Sequence, residues 1–140
     1  MSFLVVKKPR AFSLAVFKKP YEQILGTKYS LCIVFVSSKK IAELNRRYRK
    51  KNGATDILAF PMSRVSGEIY LCLSEVASHA QTFGMTRKAH LPFLLVHGML
   101  HLKGYRHGAV MERLEAQHCK MLGFSHPQFS AQAVNPHKIP

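Results

Sequence analysis

The segment HGMLHLKGYRH, from His97 to His107, constrains the fold more than any other stretch of the chain. It continues an apolar run, and together they predict a helix from near Leu91 to Lys103. Pro92 fits the first turn of that helix, and Gly104 fits its C-terminal stop. A chain that turns back at this glycine brings His107 toward the two histidines of the helix.

The three histidines of this segment predict a metal site. His97 and His101 lie one turn apart on one helix face, so their ring nitrogens can converge on one ion with His107 as the third vertex. Three neutral imidazoles suit Zn²⁺ and leave a position for water, which is typical of catalytic sites. Single histidines on apolar helices are usually packing residues, but the third histidine and the glycine favour a metal. The remaining histidines are predicted to be surface or packing residues: His79, His90, His118, His126 and His137.

The spacing HxxxHxxGxxH is also that of the metzincin proteases, whose motif is HExxHxxGxxH. In those enzymes the glutamate after the first histidine is the general base that activates water. Gly98 stands at that position here, and glycine cannot transfer a proton. The pattern therefore argues against peptide hydrolysis by that route.

The rest of the chain predicts helices interleaved with short strands. The expected strands are SFLVV, YSLCIVFVS, TDILAF and GEIYLCL, the last two as a pair. The expected helices are residues 11–25, then SSKKIAELNRRYRKK capped by Ser37 or Ser38, SEVASHAQTFG capped by Ser74, and Val110–Leu122. We therefore predict an α+β (mixed α/β) fold, a single domain with a small, mostly parallel or mixed sheet of about four strands flanked by about five helices.

Several side chains have predicted places in these elements. Ile41, Leu44 and Tyr48 would face the core from one helix, although an exposed Tyr48 could stack on a base. The last helix would carry one stripe of Met111, Leu114, His118 and Met121. Asp56 and Glu75 are expected in cap, turn or first-turn roles.

Length and composition predict one domain, residues 1–123, and a loose C-terminal tail, residues 124–140. The chain has 140 residues, 47% of them hydrophobic, and no apolar run of the length that a membrane span needs. Its three cysteines fall singly without CxxC spacing, which favours a reducing compartment and a cytoplasmic protein. The basic N-terminal segment is predicted as a strand rather than a targeting signal.

Charge is the most pronounced feature of the composition. The chain carries 21 Lys and Arg against 7 Asp and Glu, a formal net charge of +14, and residues 1–51 alone carry +11. Such a field favours a polyanionic partner such as RNA or the ribosome, although a solvated basic surface is the simpler interpretation.

Three segments, in the order in which a known family has them, carry a resemblance to that family. HGMLHLKGYRH resembles the HGxLHLxGYDH signature of the YbeY family of metal-dependent endoribonucleases. LNRRYRKKNGATDILAFP, residues 44–61, is similar to the family's LNxxYRxxxxPTDVLSFP, and SGEIYLCLSE resembles its LGDIxIxxE block. These segments cover most of residues 40–123.

The resemblance implies single-strand-specific cleavage of ribosomal RNA in its maturation and in ribosome quality control. It implies that His97, His101 and His107 hold one zinc ion together with a water, and that Arg49 and His97 take part in catalysis. Metal activation of water would make a carboxylate base at Gly98 unnecessary. The alternative is an in-line attack by the RNA 2′-hydroxyl, in which the metal only stabilises charge. The expected partners are ribosomal RNA and the small ribosomal subunit or its proteins. The protein is expected to be a monomer that binds neither a membrane nor a small-molecule cofactor. The expected RNA-binding residues are Lys39, Lys40, Arg46, Arg47, Lys50, Lys51, Tyr105 and Arg106.

Some positions depart from the family pattern. Arg106 replaces the aspartate before the third histidine, Asn52 and Ala59 replace aspartate and serine, and Glu68 replaces aspartate. A cation at Arg106 would disfavour a protonated His107 and could bind phosphate. A non-catalytic, metal-stabilised ribosome assembly factor is the main alternative, and a fourth ligand from His118 or Cys119 would favour it. A metal-dependent hydrolase of peptides or small molecules explains the histidines but not the charge.

Overall fold

A four-stranded sheet forms the centre of the computed structural model, which describes residues 2–127. The strands are β1 (Phe3–Val6), β2 (Ser30–Phe35), β3 (Ile57–Ser63) and β4 (Ser66–Leu71), in the order β1-β2-β4-β3. Strands β1, β2 and β4 are parallel, whereas β3 pairs antiparallel with β4 and lies at the edge. The predicted mixed sheet is confirmed.

Five α-helices flank the sheet within the described residues. They are α1 (Leu14–Pro20), which continues into a π-helical turn at Tyr21–Leu25, α2 (Ser38–Arg49), α3 (Leu73–Thr82), α4 (Arg87–Leu102) and α5 (Ala109–Leu122). The predicted count of five is confirmed. None of the helices in residues 2–127 is long and apolar enough to cross a membrane.

Helix α4 is the central element, because its residues from His90 to Leu100 are all buried. It crosses the sheet face formed by alternate residues of the strands, including Ile57 and Ile69. A Cβ atom added at Gly98 would lie 2.8 Å from Cδ1 of Ile57 and 3.3 Å from Cδ1 of Ile69. The absence of a side chain at Gly98 therefore lets α4 approach the sheet closely.

Helix α2 covers part of the opposite sheet face. Ile41 of α2 packs there with Leu58 of β3 and with Cys72, which follows β4. Ser37 caps the helix, since its side chain accepts a hydrogen bond from the backbone N–H of Lys40 at 3.1 Å. The second hydrophobic cluster thus anchors the start of α2 to the edge of the sheet.

Two predicted helix starts were wrong. Helix α4 begins at Arg87 rather than Leu91, because Thr86 accepts a hydrogen bond from the N–H of Ala89 at 3.1 Å and caps it. Pro92 therefore lies in the second turn instead of the first. Helix α3 begins at Leu73, and the hydroxyl of Ser74, the predicted cap, lies 3.0 Å from that of Ser38 instead.

Tyr48, which was predicted to face the core, and Met121, which was predicted on the stripe of the last helix, are both exposed. Tyr48 is 57% exposed, because it packs against Phe60 of β3, the edge strand of the sheet. Met121 is 71% exposed, since the buried positions of α5 recur every four residues, at Met111, Glu115 and Cys119. The predicted stripe has offsets of three, four and three residues, and it therefore faces solvent in part.

The predicted tail, residues 124–140, is described only as far as Pro127. Phe124 packs against the main core, and His126 is fully buried with its ring edge-on to Phe93 at 5.3 Å. Packing against the domain therefore continues past residue 123. The remainder of the predicted tail, including His137, lies outside the described residues.

Candidate metal centre

The three predicted histidine ligands meet at the C-terminal end of α4. His97 and His101 belong to that helix, and Gly104, whose φ of +100° favours glycine, turns the chain so that His107 approaches them. One ring nitrogen of each histidine lies within 4.8 Å of the others. The structure thus contains a three-histidine group that can bind one metal ion.

Hydrogen bonds orient two of the rings. The carbonyl of Tyr105 can only accept, so Nδ1 of His101, 3.0 Å away, carries a hydrogen. Nδ1 of His97 likewise donates to the carboxylate of Glu115 at 2.5 Å. In the neutral rings both Nε2 atoms then carry lone pairs, and they lie 3.1 Å apart. Tetrahedral zinc, with Zn–N bonds of about 2.0–2.1 Å, separates two ligand nitrogens by roughly 3.3 Å, so this donor set fits a metal cation.

The protonation state of His101 also suits a ligand. Burial, and then the neighbouring His97 and His107 rings, lower the pKa of His101 to about 4, and the positive charge of Arg49 acts in the same direction. The ring therefore stays neutral through the physiological range. Since only a neutral imidazole binds metal, protons compete weakly at this ligand.

Glu115 is a candidate functional residue that sequence reasoning missed. It lies on α5, is 3% exposed, and accepts the hydrogen bond from the 1% exposed His97. A carboxylate behind a ligand histidine holds the ring in one tautomer and makes its free nitrogen a stronger donor to metal. An acidic residue between Met111 and Cys119 on a buried stripe is the sequence signal that could have revealed it.

We expect the Glu115→Gln variant to bind metal roughly 10- to 100-fold more weakly than the wild type, because the neutral amide polarises His97 less. Titration against a competing chelator measures this change. Glu43→Gln, the same charge change at an exposed position of α2 outside the cleft, is the matched control and should keep wild-type affinity. Equal affinity of the Glu115→Gln variant and the wild type would contradict the assigned role.

An open cleft of about 440 Å³ lies beside His101 of the histidine group. His101 and Gly98 line it from α4, while alternate residues of β3, including Ala59 and Pro61, form the opposite wall. Three predicted functional residues also line it: Arg49, Tyr105 and Arg106. The cleft therefore combines a metal-binding group with two guanidinium groups, which match the oxygen atoms of a phosphate.

The other predicted RNA-binding residues lie outside this cleft. Lys39 and Arg46 line a shallow groove beside α2, and Lys40 lines a third groove together with Lys7. Arg47, Lys50 and Lys51 are exposed at the end of α2 and just beyond it. All six cations are exposed along α2 or just beyond it, and together they are called the basic surface along α2.

The two alternative fourth ligands do not join the histidine group. Among residues 2–127, the group that can hold a metal consists of His97, His101 and His107 alone. Nδ1 of His118 lies 2.7 Å from the side-chain amide of Gln23, and Cys119 is buried in the main core. Three protein ligands leave a coordination position for water or substrate.

Asp56 belongs to a second polar cluster, together with His79 and His90. The sequence had predicted a cap or turn role for Asp56 instead. Asp56 is fully buried, and its Oδ2 accepts a hydrogen bond from Nδ1 of His79 at 2.8 Å. Nε2 of the buried His90 lies 3.8 Å from the same oxygen, and the His90 ring stacks between Phe83 and Phe93. Burial raises the pKa of Asp56, but His79 and His90 outweigh this and lower it; the hydrogen bond to Asp56 raises the pKa of His79.

The Asp56–His79 pair predicts a pH-dependent contribution to stability. Its benefit is lost at low pH, as Asp56 becomes protonated, and at high pH, as His79 loses its proton above its raised pKa. We therefore expect His79→Ala to lower the free energy of unfolding more at pH 6 than at pH 8.5, as measured by urea denaturation.

His118→Ala is the matched control for this measurement. Burial and the positive charge of Lys103 lower the pKa of His118, so a protonated His118 opposes folding. The loss of stability caused by His118→Ala should therefore be smaller at pH 6 than at pH 8.5. The same pH trend in both variants would contradict the assignment of the Asp56–His79 pair.

Comparisons with known proteins agree with this geometry. The family model described as Endoribonuclease YbeY matches residues 10–123. The chain is 37% identical to Endoribonuclease YbeY of Polynucleobacter asymbioticus over 129 residues, which cover 86% of this chain and 83% of the relative. It is 40% identical to that of Ureaplasma urealyticum, over 80% and 83% of the two chains.

A solved structure shares the fold. The solution structure of a Thermotoga maritima protein superposes with a TM-score of 0.62 at 28% identity, covering 86% of this chain and 87% of the other. The family match spans β2, helix α2, the residues that line the cleft and the three histidines. This chain belongs to the YbeY family of endoribonucleases.

Proposed function

We propose that this protein is a zinc-dependent endoribonuclease that cleaves single-stranded segments of ribosomal RNA during maturation and quality control of the ribosome. The observation that carries the proposal is the junction of the histidine group with a cleft that Arg49 and Arg106 line. Family membership supports RNA as the substrate, because the relatives are named endoribonucleases.

Zinc is the proposed metal because the three ligands are neutral imidazoles and leave an open position. A metal ion in such a site supplies Lewis-acid chemistry and lowers the pKa of water from about 15.7 toward about 7. His97, His101 and His107 would hold it, while Glu115 would orient His97 from behind. No side chain at Gly98 can act as a base, so the residues of this chain contribute positioning and charge.

Arg49 is proposed to bind the phosphate that is cleaved. It lines the cleft beside His101, and its charge is close enough to lower the pKa of that histidine. A guanidinium presents paired donors to phosphate oxygens, and such donors stabilise the negative charge that grows in the transition state. Arg106 lines the same cleft and would hold an adjacent phosphate in place of the acid usual in the family.

The basic surface along α2 is proposed to hold the RNA backbone without reading its sequence. It comprises Lys39, Lys40, Arg46, Arg47, Lys50 and Lys51. Such contacts release counterions, so affinity should fall steeply as salt rises. Tyr105 could stack on a base inside the cleft. The proposed setting is a monomer in the cytoplasm, where its three unpaired cysteines stay reduced, acting on the small ribosomal subunit.

One assay tests the proposal. Protein purified without chelators is analysed for bound metals and incubated with single-stranded and duplex fragments of ribosomal RNA and with DNA of the same sequence. We expect about one zinc per chain and cleavage of the single-stranded RNA that EDTA abolishes and added zinc restores. Tight RNA binding with bound metal but no cleavage would favour the assembly-factor alternative, and cleavage that EDTA leaves unchanged would overturn the metal mechanism.

A further inference from the structure

A row of aromatic rings lies outside the cleft, on the sheet face that α2 partly covers. The ring of Tyr48 packs edge-on against Phe60 of β3 at 5.6 Å, and Phe60 packs against Tyr70 of β4 at 5.9 Å. Phe60 and Tyr70 are half-buried, whereas Tyr48 is 57% exposed at the end of the row. The outermost ring therefore packs on Phe60, has the guanidinium of Arg47 over it, and still leaves more than half of Tyr48 exposed to solvent.

Edge strand β3 separates this row from the cleft. Ala59 and Pro61 of β3 line the cleft, whereas Phe60, between them in the sequence, points to the opposite face. Arg49 reaches the cleft and Tyr48 reaches Phe60, although the two are consecutive in α2. A strand of RNA that crosses the exposed edge of β3 can thus contact both residues.

Charge around Tyr48 favours a nucleic acid over a protein surface of average composition. The guanidinium of Arg47 lies 5.4 Å from the centre of the Tyr48 ring, and Arg46, Lys50 and Lys51 are exposed nearby in the chain. The carboxylate of Glu68 accepts a hydrogen bond from the hydroxyl of Tyr70 at 3.0 Å, at the other end of the row. Phosphates would therefore lie beside Arg47 and its neighbouring cations, and an uncharged base would stack on the part of the Tyr48 ring that Arg47 leaves exposed.

We propose that Tyr48 forms a stacking subsite for one unpaired base of a single-stranded RNA whose cleaved phosphate lies at Arg49. This inference rests on the proposed function, since it needs RNA in the cleft. An aromatic face accepts every base, so the subsite selects unpaired strands rather than a sequence. A duplex cannot use it, because its bases are already stacked on one another.

The test uses a short single-stranded RNA that carries 2-aminopurine, a base whose fluorescence falls on stacking, with modified linkages that slow cleavage. Tyr48→Phe keeps the ring and should quench the fluorescence as the wild type does. Tyr48→Ala should remove the quenching and weaken binding roughly tenfold, within the range that stacking supplies per base. Tyr48→Leu keeps an apolar contact with Phe60 without a π face, and it should behave as Tyr48→Ala does.

Lys51→Ala is the control for a purely electrostatic contact. Lys51→Ala should reduce the slope of log affinity against log salt by the amount of about one phosphate contact, and it should leave the quenching unchanged. Tyr48→Ala should leave that slope unchanged. Wild-type affinity and quenching in both Tyr48→Ala and Tyr48→Leu would overturn the stacking subsite and leave the proposed function intact. Failure of the wild type itself to bind RNA would overturn both, and selective binding of a ribosomal protein at Tyr48 would replace the subsite with a protein interface.

Discussion

The His101→Ala variant is expected to lose its metal and to cleave RNA at least about a thousandfold more slowly than the wild type. His101 lies between the other two ligands in the sequence, and its Nε2 is 3.1 Å from that of His97. Two remaining imidazoles cannot hold a metal with comparable affinity, so the Lewis-acid contribution disappears. Elemental analysis after dialysis measures the metal, and single-turnover cleavage of labelled RNA measures the rate.

His118→Ala is the matched control for this loss. It removes a histidine that hydrogen-bonds to Gln23 and does not belong to the group of three histidines. The control should retain wild-type metal content and cleavage. Undiminished metal and cleavage in His101→Ala would show that the reaction depends on a different centre.

The histidine group could be predicted because its geometry is local. Residues four apart on a helix share a face whatever the helix packs against, and a glycine stop sends the chain back within a few residues. The start of α4 was missed because the apolar pattern begins at Leu91, whereas capping by Thr86 starts the helix earlier. A side-chain cap, rather than hydrophobicity, determined that boundary.

Contacts between distant segments could not be predicted in this way. Glu115 meets His97 across 18 residues, and Asp56 meets His79 across 23. Each pairing depends on which helix faces lie against α4, and one sequence without its fold does not contain that information. Tyr48 was misassigned for a related reason. Helical spacing gives its face of α2, but only the fold shows that this part of α2 meets the edge strand β3, where Tyr48 stays exposed.

Arg49→Ala is expected to lower kcat roughly 100-fold while weakening RNA binding only a few-fold, because the lost donors act mainly on the charge of the transition state. Arg49 lines the cleft with His101, whereas the other cations of α2 lie outside it. Arg49→Lys should recover only part of the rate, since an ammonium cannot present two parallel donors to a phosphate. Single-turnover cleavage and equilibrium binding, measured on the same RNA, separate the two effects.

Lys51→Ala removes a neighbouring cation that is exposed outside the cleft. It is the matched control for the effects of Arg49→Ala on kcat and on RNA binding. A general electrostatic role predicts similar, small losses of binding in both variants and no selective loss of kcat in Arg49→Ala. A role at the reacting phosphate predicts a large loss of kcat in Arg49→Ala alone. Equal losses of binding and cleavage in Arg49→Ala would reduce Arg49 to one more phosphate contact, and Arg106 would then become the guanidinium to replace next.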